Sequence, residues 1–177
     1  MVQAGIKKYV LALLIAVMII ALDAVSKYLT FKHIPIIFES LPEFPYGGIK
    51  IFQNFFGIDF SLNKALNTGG AWSLFSSFPR SLLVIRACTI CAMVYYVLKI
   101  NTDQSKKIPL FLIIVGAVAN LFDAFIYGAV VDLFHFRFWG YSFPIFNIAD
   151  IVIFLGGTSI LIQEIFFKKD RPCKRVT

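Results

Sequence analysis

Two aspartates flank one short loop between two apolar segments: Asp132 in Gly128-Ala129-Val130-Val131-Asp132, and Asp150 in Phe146-Asn147-Ile148-Ala149-Asp150. Two carboxylates that can meet are the minimum equipment for splitting an amide with water, one taking a proton from the water and the other giving one to the carbonyl. Other polar residues are scattered along the chain: Asp23 and Lys27, Asn67, Gly69, Asn120, Asp123 and Asn147. Asp23 and Lys27 stand four apart with the acid first, the better order for an ion pair along a helix. Asn120 precedes Asp123 by three, so the two share a helix face. Each of these has an ordinary reading too. Asp150 suits any helix N-terminus, Asn147 is a common N-cap, and Asp132 fits an interfacial loop.

The elements that must position these groups are membrane spans. The chain has 177 residues, of which 59% are hydrophobic and 15% charged, and its mean hydropathy is +0.80. Soluble domains are usually about 45–50% apolar. Four stretches, near residues 9–29, 81–98, 108–131 and 148–167, meet the length of about 20 apolar residues that a bilayer requires. Lys7 and Lys8 precede the first, Lys99, Lys106 and Lys107 lie between the second and third, and Lys168, Lys169, Arg171, Lys174 and Arg175 follow the fourth. The positive-inside rule puts these regions and both termini in the cytoplasm. The segments 30–80 and 132–147 then face outward, and every polar residue named above falls towards that outer face. On an unbroken third span, Asp123 would lie roughly 13 Å below Asp132, leaving Asp132 and Asp150 level with each other and Asp123 in support.

Within the outer segment, Ile49-Lys50-Ile51-Phe52 and Ile58-Asp59-Phe60-Ser61-Leu62 alternate as short strands do, with turns at Tyr46-Gly47-Gly48 and Gly57. Phe52, Phe55, Phe56 and Phe60 suit a small sheet lying against lipid headgroups. The fold class is therefore an all-α membrane protein with a small extracytoplasmic β element, built as a single domain over residues 1–177. Lys7-Lys8 and the apolar run after them resemble a signal peptide, but Asp23 and Lys27 intrude where a small-residue cleavage site would stand.

Other chemistries lack their marks. The net charge of +7 sits between and beyond the apolar runs rather than along a groove, a pattern of topology and not of nucleic-acid binding. Cys88 and Cys91 have C-x-x-C spacing inside an apolar run with no second ligand pair, and Cys173 stands alone, so neither zinc nor a disulfide framework is indicated. There is no H-E-x-x-H, no G-x-S-x-G and no phosphate loop. The two histidines are His33 and His135, and the latter reads as interfacial rather than as a base. A non-enzymatic alternative, a small transporter or proton relay, needs a polar path across the bilayer; away from the outer face only Arg86 and Glu164 offer one, and Glu164 reads as pairing at the cytoplasmic interface.

With these residues in hand, the sequence resembles the lipoprotein signal peptidase family, also called signal peptidase II. The resemblance rests on Asp23 with Lys27, Asn67-Thr68-Gly69-Gly70-Ala71-Trp72, Asn120-Leu121-Phe122-Asp123, Val130-Val131-Asp132, and Phe146-Asn147-Ile148-Ala149-Asp150, in that order. It implies a four-helix aspartyl endopeptidase of the bacterial cytoplasmic (inner) membrane. The substrate would be a diacylglyceryl-modified prolipoprotein, cut just before the lipidated cysteine on the extracytoplasmic side. Asp132 and Asp150 match the catalytic pair. Asp23, Lys27, Asn67, Gly69, Asn120, Asp123 and Asn147 match supporting or substrate-binding positions. The outer segment would form a sheet cradle followed by a mobile amphipathic helix. No metal or cofactor is implied, and the partners are the substrate and membrane lipids around a monomer. Two departures stand out. Ala124 occupies the position after Asp123 where the family usually has arginine, and Ala119 stands where glycine is common. Arg86 and Arg137 are the candidates to replace that arginine, and a catalytically inactive relative is the alternative.

Overall fold

The computed structural model describes residues 2–36, 47–69, 78–101 and 103–166. Its elements follow the order α1 (Val2–His33), β1 (Gly48–Phe55), β2 (Ile58–Asn67), α2 (Pro79–Tyr95), α3 (Lys107–Ile126), β3 (Val130–Phe138), β4 (Tyr141–Ser142) and α4 (Ile148–Phe166). A π-helical turn, Tyr96–Ile100, prolongs α2, and a 3₁₀ turn, Gln104–Lys106, leads into α3.

The four helices are long and apolar enough to cross a membrane, over Val10–His33, Arg80–Ile100, Gln104–Ile126 and Ile148–Phe166. Their large side chains point outward: Leu13, Leu14, Val84, Ile126, Phe154 and Leu161 are all exposed. An outward apolar surface of this kind is stable in lipid, not in water. Inside the bundle, small residues set the closest approach, as in membrane helix pairs generally. A Cβ on Gly116 of α3 would meet the Ala149 carbonyl of α4 at 2.6 Å, and one on Gly156 of α4 would meet the Pro109 carbonyl of α3 at 2.6 Å. Lys106, in the 3₁₀ turn before α3, pairs with Glu164 of α4.

The third span is shorter than the sequence suggests. α3 stops at Ile126, and Gly128, at φ +72°, turns the chain out of the helix. Asp132 therefore lies on a strand, not at a helix end, and the estimate of roughly 13 Å, which assumes an unbroken helix from Asp123 to Asp132, does not apply. Instead the Val131 amide donates to Asp123 Oδ2 at 3.3 Å.

The sheet is larger than expected, with four antiparallel strands in the order β1-β2-β3-β4. β2 continues past Leu62 to Asn67, pairing Ala65 with Asp132 and Asn67 with Val130. The amphipathic helix implied after Leu62 has strand in its first residues, and 70–77, with Gly70, Ala71 and Trp72, lie outside the described residues. On β3, Asp132, Phe134, Phe136 and Phe138 share one face by the two-residue alternation of a strand, and Phe60 stacks on Phe136 at 4.4 Å. The segment before α4 is stitched to this strand, with the Phe134 amide donating to the Phe146 carbonyl at 2.8 Å and the Phe146 amide to the Phe134 carbonyl at 3.1 Å. That pairing brings the start of α4 beside Asp132.

Candidate active site

Asn147 and Asp150 form a reciprocal cap on α4. The Asp150 amide donates to Asn147 Oδ1 at 2.9 Å, and the Asn147 amide donates to Asp150 Oδ2 at 3.3 Å. Two helix-terminal N–H groups are thereby satisfied, and the Asp150 carboxylate is held at the first turn, where the helix dipole favours negative charge. With its oxygen engaged by the cap, the Asn147 carboxamide presents its nitrogen to Asp132 Oδ1 at 2.7 Å. One side chain is thus both the N-cap of α4 and a donor to Asp132.

A second support comes from below. Lys27 of α1 is fully buried, and its ammonium contacts Asp23 at 2.6 Å, Asp123 at 2.7 Å and Asn120 Oδ1 at 2.9 Å. An ammonium has three donors, and three acceptors meet it here. Because the Asn120 oxygen faces Lys27, its nitrogen must face the other way, and it donates to Asp150 Oδ1 at 2.8 Å. Asp23 completes the frame by accepting from the Ala149 amide at 2.9 Å, which ties α1 to the first turn of α4. Asp23 and Lys27 are nearly inaccessible and do not line the cavity, so they act on the site through Asn120, Asp123 and α4.

Asp132 and Asp150 open on one cavity of about 510 Å³, whose walls include Asn67, Arg86, Asn120 and the apolar Ile90, Phe146 and Ile153. Asn67 Nδ2 approaches Asp132 Oδ2 at 3.4 Å, and the Gly69 amide donates to Asn67 Oδ1 at 3.0 Å. Burial pushes the Asp132 carboxyl up to about 7, the nearby Asp150 charge adds to the rise, and the Asn67 and Asn147 donors and Lys27 oppose it. A carboxyl in this range exchanges its proton near neutral pH, as general acid–base chemistry requires.

Of the other titratable groups, His135 lies on the opposite face of β3 from Asp132. It is buried, contacts Ser142 Oγ at 2.8 Å, and is held below the usual histidine value by burial and by Arg137. Arg137 lines a separate cavity with Asp59 and Trp139, away from both aspartates. Arg86, the other candidate to replace the arginine absent at Ala124, lines the aspartate cavity. The Val131 amide, which fixes Asp123, left no signal in the sequence because a backbone group carries none.

Residues 15–167 match the family model described as Signal peptidase (SPase) II. The chain belongs to the signal peptidase II family. It is 30% identical over 176 residues to a lipoprotein signal peptidase of Staphylococcus aureus, covering 95% of this chain and 99% of that one. It is 40% identical over 111 residues to one of Campylobacter jejuni subsp. doylei, covering 62% of this chain and 70% of that one. A bacterial membrane enzyme solved by the in meso method at 2.3 Å resolution superposes with a TM-score of 0.75 at 26% identity, covering 94% of each chain. Another, at 1.9 Å, gives 0.68 at 28% identity, covering 90% of this chain and 94% of that one. This peptidase is thus a multi-span membrane protease.

Proposed function

We propose that this peptidase removes the signal peptide from diacylglyceryl-modified prolipoproteins, cutting before the lipidated cysteine, and that Asp132 and Asp150 are its catalytic pair. The observation that carries the reading is that both carboxylates open on one cavity while asparagines from three different elements fix their orientation. Two nearby carboxylates do not both ionise easily and share a proton, titrating as a pair. The ionised member takes a proton from a water held between them as that water attacks the scissile carbonyl. The protonated member donates to the carbonyl oxygen. Collapse of the tetrahedral intermediate breaks the C–N bond and returns a proton to the leaving amine, which belongs to the lipidated cysteine. The cavity walls are mainly apolar, which suits a substrate whose signal peptide and acyl chains both stay in the bilayer.

In this reading the sheet and the dyad lie on the extracytoplasmic side of the bacterial inner membrane, with both termini in the cytoplasm and the monomer as the working unit. The lysines between α2 and α3 support that orientation. The aromatic face shared by Phe52, Phe60, Phe134 and Phe136 suits contact with lipid headgroups. The test is mass spectrometry of a diacylglyceryl-modified prolipoprotein and its unlipidated counterpart after incubation with the purified peptidase. A cut directly before the cysteine in the lipidated form only is the expected result. A cut elsewhere, or equal cutting of both forms, overturns the assignment.

A further inference from the structure

We propose that Arg86 is a positioning residue for Asp132, acting through Gly69 and Asn67; the inference rests on the reading of Asp132 and Asp150 as the catalytic pair. Arg86 belongs to a membrane-spanning helix, where a guanidinium is costly to keep and is retained for a specific partner. Its Nη2 donates to the Gly69 carbonyl at 2.5 Å, the only hydrogen bond it makes among the described residues. The amide of the same Gly69 donates to Asn67 Oδ1 at 3.0 Å. An asparagine whose oxygen is taken in this way must turn its nitrogen outward, and Asn67 Nδ2 faces Asp132 Oδ2 at 3.4 Å. Three consecutive links therefore carry orientation from α2 to the carboxylate. The Asn147 side of Asp132 is fixed independently by the α4 cap.

Charge acts in the same direction. The guanidinium attracts both Asp132 and Asp150 across the cavity they share. The charged groups around Asp132 are Asp150 from α4, Lys27 from α1 and Arg86 from α2, with Asp123 of α3 bonded to the neighbouring Val131 amide. Lys27 is committed to Asp23, Asp123 and Asn120. Arg86 is the cation that lines the cavity itself, among the described residues. A second cavity of about 210 Å³ is lined by Arg86, Asn67 and Ala124. The small methyl of Ala124 leaves this space on the α3 side open, and Arg86 reaches it from α2.

The experiment compares Arg86→Gln, Arg86→Lys and Asp132→Asn with the unaltered peptidase, using a diacylglyceryl-modified prolipoprotein and measuring kcat and KM across the neutral pH range. Thermal unfolding in detergent reports whether each variant folds. Arg86→Gln is expected to lower kcat roughly 10- to 100-fold, the scale of a misplaced catalytic group, with little change in KM. It is also expected to move the acid limb of the kcat profile to higher pH, because ionised Asp132 has lost an attractive charge and an oriented donor. Arg86→Lys, which keeps the charge but not the planar fork, should retain part of the rate and a smaller shift. The proposal is overturned if Arg86→Gln leaves kcat and the pH profile unchanged, or raises KM alone, while Asp132→Asn is inactive. If Asp132→Asn is itself active, the underlying reading of the dyad fails instead. Should Arg86→Gln not fold, Arg86→Lys decides by the same criteria, an unaltered kcat and profile overturning the proposal.

Discussion

The Asn147 side chain joins Asp132 to the helix that carries Asp150: its nitrogen donates to Asp132 Oδ1 at 2.7 Å while its oxygen caps the Asp150 amide at 2.9 Å. One residue thereby sets the separation and relative orientation of two carboxylates that belong to different elements. Asn147→Ala removes both contacts. It is expected to cost about 1 kcal/mol or more of stability through the lost cap and to lower kcat roughly 10- to 100-fold through the freed carboxylate. Kinetics and thermal unfolding on the same preparation check both. Asn147→Ser retains the cap and should restore stability more than rate.

The pH dependence follows from Asp132, whose carboxyl is raised to about 7 by burial and by Asp150. At pH below its ordinary value of 3.8 it is protonated folded and unfolded alike. Between there and about 7 only the folded protein keeps the proton, so the folded state binds more protons and its stability falls as pH rises through that window. Asp132→Asn should flatten this part of a plot of unfolding temperature against pH. In the active protein, Asn67→Ala removes a donor that favours the carboxylate, and the ionisation seen in the kcat profile should move upward. A downward movement would contradict the geometry.

How far the sequence anticipates these arrangements depends on the kind of signal. The spans are legible because lipid demands long apolar runs, and Asp23, Lys27, Asn120 and Asp123 are legible because charge in such runs is costly. α3 ends at Ile126, five residues before the Val131 that the apolar run suggests, since apolar residues continue across the turn and only Gly128 marks it. That glycine, with the alternation of Phe134, Phe136 and Phe138 with His135 and Arg137, is the available sign of β3. The candidate pair is legible even though β3 is not, because the two aspartates flank one short connection. The link from Arg86 to Asn67 was hidden, for it runs through the backbone of Gly69.

Lys27 gives the sharpest stability prediction. It is fully buried against Asp23 and Asp123, at 2.6 and 2.7 Å. Lys27→Met strands two buried carboxylates, and breaking a buried pair in this way costs about 3–5 kcal/mol. A large fall in the detergent unfolding temperature is expected. Adding Asp23→Asn and Asp123→Asn to the same chain should recover part of it, although Asp23 also caps Ala149. A Lys27→Met protein as stable as the parent would refute the frame described for α1, α3 and α4.

Helix packing reaches the site through Gly116. A Cβ there would meet the Ala149 carbonyl at 2.6 Å and Ile153 Cγ1 at 2.8 Å, one turn or less from Asp150. Gly116→Val should push the start of α4 away from α3 and weaken the Asn120 to Asp150 contact of 2.8 Å. The expected outcome is a reduced kcat in protein that still inserts and folds, measured beside Gly157→Val, where an added Cβ meets nothing within 4 Å.

Ala124 and Arg86 line one small cavity, so a guanidinium introduced from α3 has room if the one from α2 is withdrawn. Arg86→Leu with Ala124→Arg should be more active than Arg86→Leu alone in the same cleavage assay. Equal activity of the two would count against interchangeable positions for the charge.

The central claim is that Asp132 and Asp150 together perform the hydrolysis, and single-turnover cleavage of a diacylglyceryl-modified prolipoprotein by Asp132→Asn and Asp150→Asn tests it most directly. Each variant keeps the shape of the side chain while removing its charge and turning one acceptor oxygen into a donor. With folding verified by thermal unfolding, each is expected to lose at least about 10²-fold in rate, the scale of a general acid–base group. Cleavage by either variant at the rate of the unaltered peptidase, at the same bond, would contradict the account.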